Sequence, residues 1–149
     1  MHSERVVVGV DATVESRSAV EWCAAHLGAK SEVVAVASMS KLGEFVLGLP
    51  GFDDDPAAHM LGRAETNWVA PLHAARVPVR IRFEEDESWR AIVTVAADEH
   101  AALIVVGKQP CRLLTKLINP PDADLLVHHA PCPILIVPTT ARSKLPADR

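Results

Sequence analysis

Five short, β-branched apolar runs separated by stretches of helical periodicity constrain this chain more than any other feature. They are Arg5–Val10, Glu32–Ala37, Val79–Phe83, Leu103–Val106 and Pro133–Val137. Near-continuous apolar runs are the mark of strands covered on both faces. Val79–Phe83 alternates with arginines and reads as a strand partly facing solvent. Between the first two runs, Val20, Cys23, Ala24 and Leu27 recur at helical spacing. Thr13 is placed to cap that helix, Glu15 suits its first turn and Gly28 its end. Asp55 and Pro56 suit the start of a second helix, with the stripe Leu61, Ala64, Trp68, Leu72 and Ala75. Pro71 interrupts that stripe and removes the partner of the Asn67 carbonyl, which predicts a kink or break there. Ser88 is the expected cap of a third helix bearing Trp89, Ile92, Val93 and Ala96 on one face. Asn119–Pro120 is the expected start of a short fourth, carrying Leu125 and Leu126.

The order βαβαβαβαβ implies a three-layer α/β fold, a five-stranded parallel sheet with helices on both faces and right-handed crossovers. The flavodoxin/Rossmann-like arrangement has strand order 3-2-1-4-5. Ligands of such sheets bind past the carboxyl ends of the strands where the order reverses. In this chain that point lies beyond strands 1 and 4, at Asp11 and Gly107–Cys111. The stretch Met39–Asp54, with Gly43, Gly48, Pro50 and Gly51, reads as a surface excursion and not a domain boundary. One domain over 1–138 and a polar tail over 139–149 account for the 149 residues, near the ~150 typical of a domain.

Composition narrows the function classes. The net charge is −4 and the pI about 5.9, which argues against a general nucleic-acid binder. No apolar run approaches the ~18 residues of a membrane span. Glu4 and the shortness of Val6–Val10 argue against a signal peptide, so the expected location is cytoplasmic. Cys23, Cys111 and Cys132 are far apart and form no zinc spacing. His128 and His129 are adjacent and point apart on a helix; His26, His59, His73 and His100 show no ligand spacing either, so no metal site is expected. Glu84–Glu87 reads as a solvated acidic loop, and Asp53–Asp55 as the approach to a helix start. No nucleophile elbow, P-loop or dinucleotide fingerprint is present, so no catalytic residue is assigned.

Three segments resemble the universal stress protein family, within the adenine nucleotide alpha hydrolase-like superfamily. They are Val6-Val-Val-Gly-Val-Asp-Ala-Thr13 with Ser16 and Ala19, Ala101-Ala-Leu-Ile-Val-Val-Gly107, and His129-Ala-Pro-Cys-Pro-Ile-Leu-Ile-Val-Pro138. The likeness covers roughly residues 5–138. It implies five parallel strands and a homodimer through the last strand. Family members that bind ATP resemble one another in Gly-x-x-Gly, nine residues, then Gly-Ser or Gly-Thr. Gly107 matches the first glycine, but Pro110 stands at the second, and Pro120 and Pro121 replace the closing pair. Proline has no N–H to offer a phosphate, and its ring fills space that glycine leaves open. Asp11 matches the family's strand-1 aspartate and Val36 its residue beside the base.

Several residues keep two readings. Asp11 either meets a ribose or base, or caps the following helix or hydrogen-bonds the turn. Lys108, Arg112 and Lys116, at four-residue spacing, are either a solvated basic face or a side-chain phosphate clamp. Cys111 beside them is either a plain or a reactive thiol; Cys23 and Cys132 read as core. Pro133 and Pro138 bracket an apolar edge strand that a second copy would cover, making Ile134, Leu135, Ile136 and Val137 the expected dimer interface. The leading expectation is a non-enzymatic, homodimeric stress-response module with no cofactor, working through a protein partner. The alternative is an adenine-nucleotide sensor taking ATP or AMP on Asp11, Val36, Gly107, Lys108 and Arg112. A nucleotide hydrolase on the same fold ranks behind both.

Overall fold

In a computed structural model the chain is a three-layer α/β protein. The structure describes residues 3–11, 13–39, 62, 64–108 and 122–139. The elements run β1 (Glu4–Gly9), α1 (Val14–His26), β2 (Ser31–Ser38), a π-helical turn (Ala64–Trp68) and α2 (Ala70–Ala74). Then come β3 (Val79–Glu84), α3 (Ser88–Asp98), β4 (Leu103–Gly107), α4 (Asp122–His129) and β5 (Ile134–Val137). The sheet order is β3-β2-β1-β4-β5 and every pairing is parallel. Val6 sits at the centre, in register with Val33 on one side and Leu103 on the other.

Alternate strand residues face opposite layers, so each strand feeds two cores. Val6, Val8, Val33, Ala35 and Val105 pack against Ala19, Val20 and Cys23 of α1 and Leu72 of α2. Val7, Val34, Val36, Ile104 and Val106 pack against Ile92 and Val95 of α3 and Leu126 of α4. Both cores are mainly aliphatic, with Trp89 in the second, and no buried side-chain polar atom among the described residues lacks a hydrogen-bond partner.

Local signals resolve as follows. The Thr13 hydroxyl accepts from the Ser16 N–H at 3.2 Å and caps α1. That helix ends because Leu27 turns extended (φ −100°, ψ 149°), not through a left-handed turn at Gly28. The predicted break around Pro71 is present, as a π-helical turn ending at Trp68 and a fresh helical start at Ala70. Ser88 is the first residue of α3 and not its cap; Glu87 takes that position and makes no side-chain capping bond. Arg76 and His100 adopt the left-handed conformation (φ 58° and 51°) after α2 and α3. In both places the next two N–H groups fold back onto the helix end: Arg76 to His73 and Val77 to Leu72, His100 to Ala97 and Ala101 to Ala96. The Asn119–Pro120 start of α4 and residues 40–54 of the expected excursion lie outside the described residues.

Candidate functional site

The carboxyl ends of β1, β2 and β4 open onto a cleft of about 280 Å³. Its floor is apolar: Val10 after β1, Val36 of β2, Val106 of β4, Ile92 of α3 and Leu126 of α4. Polar groups come from the helix starts and strand ends: Asp11, Thr13 and Ser16 on one side, Ser38 and Ser88 on the other. Gly9, Gly107 and Trp89 complete the lining. The cleft therefore lies at the reversal of strand order that the element order predicts.

Asp11 does local work as well as lining the cleft. Its Oδ1 accepts from the Thr13 N–H at 2.7 Å and from the Thr13 hydroxyl. Its own N–H donates to Ser16 Oγ at 2.9 Å. Asp11, Thr13 and Ser16 thus fasten the β1–α1 turn, and the carboxylate remains exposed. Of the second reading of Asp11, the hydrogen-bonded turn is present, while the helix cap is Thr13. Gly107 is needed for a different reason. A Cβ there would lie 2.0 Å from the Glu15 carbonyl oxygen, so only glycine lets β4 run beneath the first turn of α1.

The opposite wall is organised by Trp89, which is only 9% exposed. Its indole N–H donates to Glu87 Oε2 at 3.0 Å. The His129 ring stacks on it at 5.1 Å, and the Arg90 guanidinium lies 5.0 Å from the indole centre. Ser38 Oγ donates to the Asp86 carbonyl at 2.6 Å and ties β2 to the β3–α3 loop.

Of the residues singled out in the sequence, Asp11, Val36 and Gly107 meet in the cleft. Lys108 is exposed one step beyond it, and its N–H is bound to the Val137 carbonyl at 2.8 Å. Arg112, Lys116, Cys111 and the three replacing prolines lie outside the described residues. Trp89, Ser38 and Ser88 were not expected in the site. Trp89 sits on the core face of a helical stripe, and nothing in local spacing shows that this stripe ends at a cleft. Cys23 is fully buried, and burial pushes its thiol up to about 12. Burial also raises the thiol of half-buried Cys132. Among the described residues no group of three or more His, Cys, Asp or Glu side chains could hold a metal ion, and no helix is long and apolar enough to cross a membrane.

The model of the universal stress protein family matches residues 2–138. The chain belongs to the universal stress protein family. Solved universal stress proteins share the fold. One in complex with cAMP superposes with a TM-score of 0.68 at 19% identity, over 94% of this chain and 100% of that one. One from Arabidopsis thaliana with AMP bound gives 0.66 at 17% identity, over 97% of each. One from Archaeoglobus fulgidus gives 0.64 at 18%, over 90% of this chain and 93% of that one. In this chain Asp11 after β1 and Gly107 at the end of β4 both line the cleft.

Proposed function

We propose that this universal stress protein is a non-catalytic, homodimeric, cytoplasmic regulatory module that does not grip ATP as the phosphate-binding members do. It acts through a protein partner. The observation that carries the reading is the charge of the cleft: its described lining holds one ionised side chain, Asp11, and no cation. Phosphate grips need N–H donors or cations. The turn that supplies backbone donors in the phosphate-binding members has Pro110, Pro120 and Pro121 in this chain. The dimer reading rests on β5, which pairs with β4 on one side only and carries Ile136 at 41% exposure. Calorimetric titration with ATP, after removal of any co-purified nucleotide, is the test. The expected outcome is no heat at micromolar ATP; micromolar affinity overturns the reading.

A second reading, an adenine-nucleotide sensor, is favoured by the meeting of Asp11, Val36 and Gly107 in one cleft and by the related structures that hold cAMP and AMP. Lys108 and Arg112 then supply the phosphate contacts. It requires nucleotide binding that Lys108→Glu abolishes; unchanged affinity excludes it.

A further inference from the structure

We propose that the two edges of the sheet differ in what they admit: anchored arginines close β3 to strand pairing, so copies of this chain join through β5 and stop at two. This rests on the preceding reading of β5 as the dimer interface. β3 and β5 end the sheet order, and each pairs on one side only among the described strands. An unpaired strand edge is a template for another chain. By length β3 is the better template, with six residues against four in β5. Its alternate residues Val79, Ile81 and Phe83 are half-buried against the first core. The difference lies in charge. β5 carries none, whereas β3 presents Arg80 and Arg82 on the α3 face, in register with Val34 and Val36.

Both arginines are held in place. Arg80 bonds Glu32 at 2.6 Å and Glu99 at 2.8 Å. Arg82 bonds Glu84 at 2.8 Å and reaches Glu99 at 3.5 Å and Asp98 at 3.7 Å. The Glu99 side chain, just past the end of α3, is 13% exposed and anchors them from within the fold. Arg80 stays 48% exposed, with its charge in water. Tethered in this way, neither side chain swings aside to admit a strand. Two β3 strands meeting about a two-fold axis would run antiparallel. Centred on Ile81, that pairing sets Arg80 of one copy opposite Arg82 of the other. Centred on Arg80 or on Arg82, it sets that arginine opposite itself. A register centred between residues would bring opposite faces of the sheet together. Like charges directly opposite destabilise a strand pair. Docking the apolar β5 of another copy on β3 fares no better, because it takes a half-exposed ion network out of water.

The test is mass by light scattering on the full chain at rising concentration, with circular dichroism to follow the fold. The first variant is Arg80→Thr, Arg82→Thr, Glu99→Gln, which removes charge of both signs and leaves Glu32 beside Arg5. It is expected to exceed the mass of two chains and to grow with concentration, because both edges then pair. The second variant adds Ile136→Glu. It is expected to form a discrete pair of chains through β3, where Ile136→Glu alone gives single chains. A folded first variant that keeps the mass of the unaltered chain overturns the proposal and leaves the β5 interface standing. Should the threonines cost the fold, Arg80→Gln, Arg82→Gln, Glu99→Gln keeps the long stems and is read by the same masses. Loss of the fold in both sets overturns the proposal, the charges then serving stability. A monomeric unaltered chain overturns the β5 interface, and with it the stop at two. Association of the neutralised variant then still supports the closure of β3, and its absence overturns that as well.

Discussion

Gly107 sets how closely β4 approaches α1. With the Glu15 carbonyl 2.0 Å from where a Cβ would lie, the obstacle is backbone and cannot rotate away. Gly107→Ala is therefore expected to destabilise the fold by about 3 kcal/mol, read as a lowered urea midpoint at unchanged slope. Gly9 is a milder case, because its nearest neighbour at 2.8 Å is the mobile end of the Ile92 side chain. His100 gives the opposite sign. It holds a left-handed turn (φ 51°) in which its side chain is exposed, a conformation that glycine reaches at little cost. His100→Gly is expected to gain about 1 kcal/mol and raise Tm by about 3 °C in a thermal melt. Both effects come from backbone geometry, and neither needs a change in the cores.

The two edge strands are built differently. β3 presents Arg80 and Arg82, which join Arg5 in a network around Glu32 and Glu99. Arg80 bonds Glu32 at 2.6 Å and Glu99 at 2.8 Å. The hydrogen bond from Arg80 is the main cause that holds the Glu99 carboxyl below its ordinary 4.5, and burial only partly opposes it. A group depressed in this way stabilises the fold fully above its ordinary value and loses that contribution as acid protonates it. Stability is thus expected to fall as pH drops below about 4.5, and Glu99→Gln to flatten that dependence while costing about 1 kcal/mol at neutral pH. Denaturant midpoints across pH check both. β5 carries no such charges: Ile134 and Leu135 are half-buried, Ile136 is exposed and Val137 is buried. Ile136→Glu is expected to give a monomer by light scattering at micromolar concentration, where the unaltered chain gives a dimer. A dimer that survives the charge overturns the β5 interface.

For the molecule as a whole, strand existence was legible because each buried strand writes its own apolar run, whereas the strand order followed from assuming the flavodoxin-like arrangement, which the sheet adopts. Thr13 and Pro71 acted locally and were read correctly. Ser88 was placed one step off, since Glu87 and Ser88 are both plausible at a helix start and only the backbone decides. The site was half legible. Asp11 and Gly107 follow from topology, whereas Trp89 joins them through an α3 that packs beneath both β1 and β2. The Arg5–Glu32–Arg80–Glu99 cluster unites residues far apart in sequence, which no local pattern can announce. The sheet order also bears on how the chain is made. Its central strand is synthesised first, yet one flank of β1 is closed only by β4, whose Leu103 meets Val6 about 100 residues later. At roughly 5–20 residues per second, β1 leaves the ribosome roughly 5–20 s ahead of that partner. Throughout that interval Val6–Val8 is an unfinished apolar edge. Until its fourth strand arrives, the nascent chain carries an edge open to pairing with other strands.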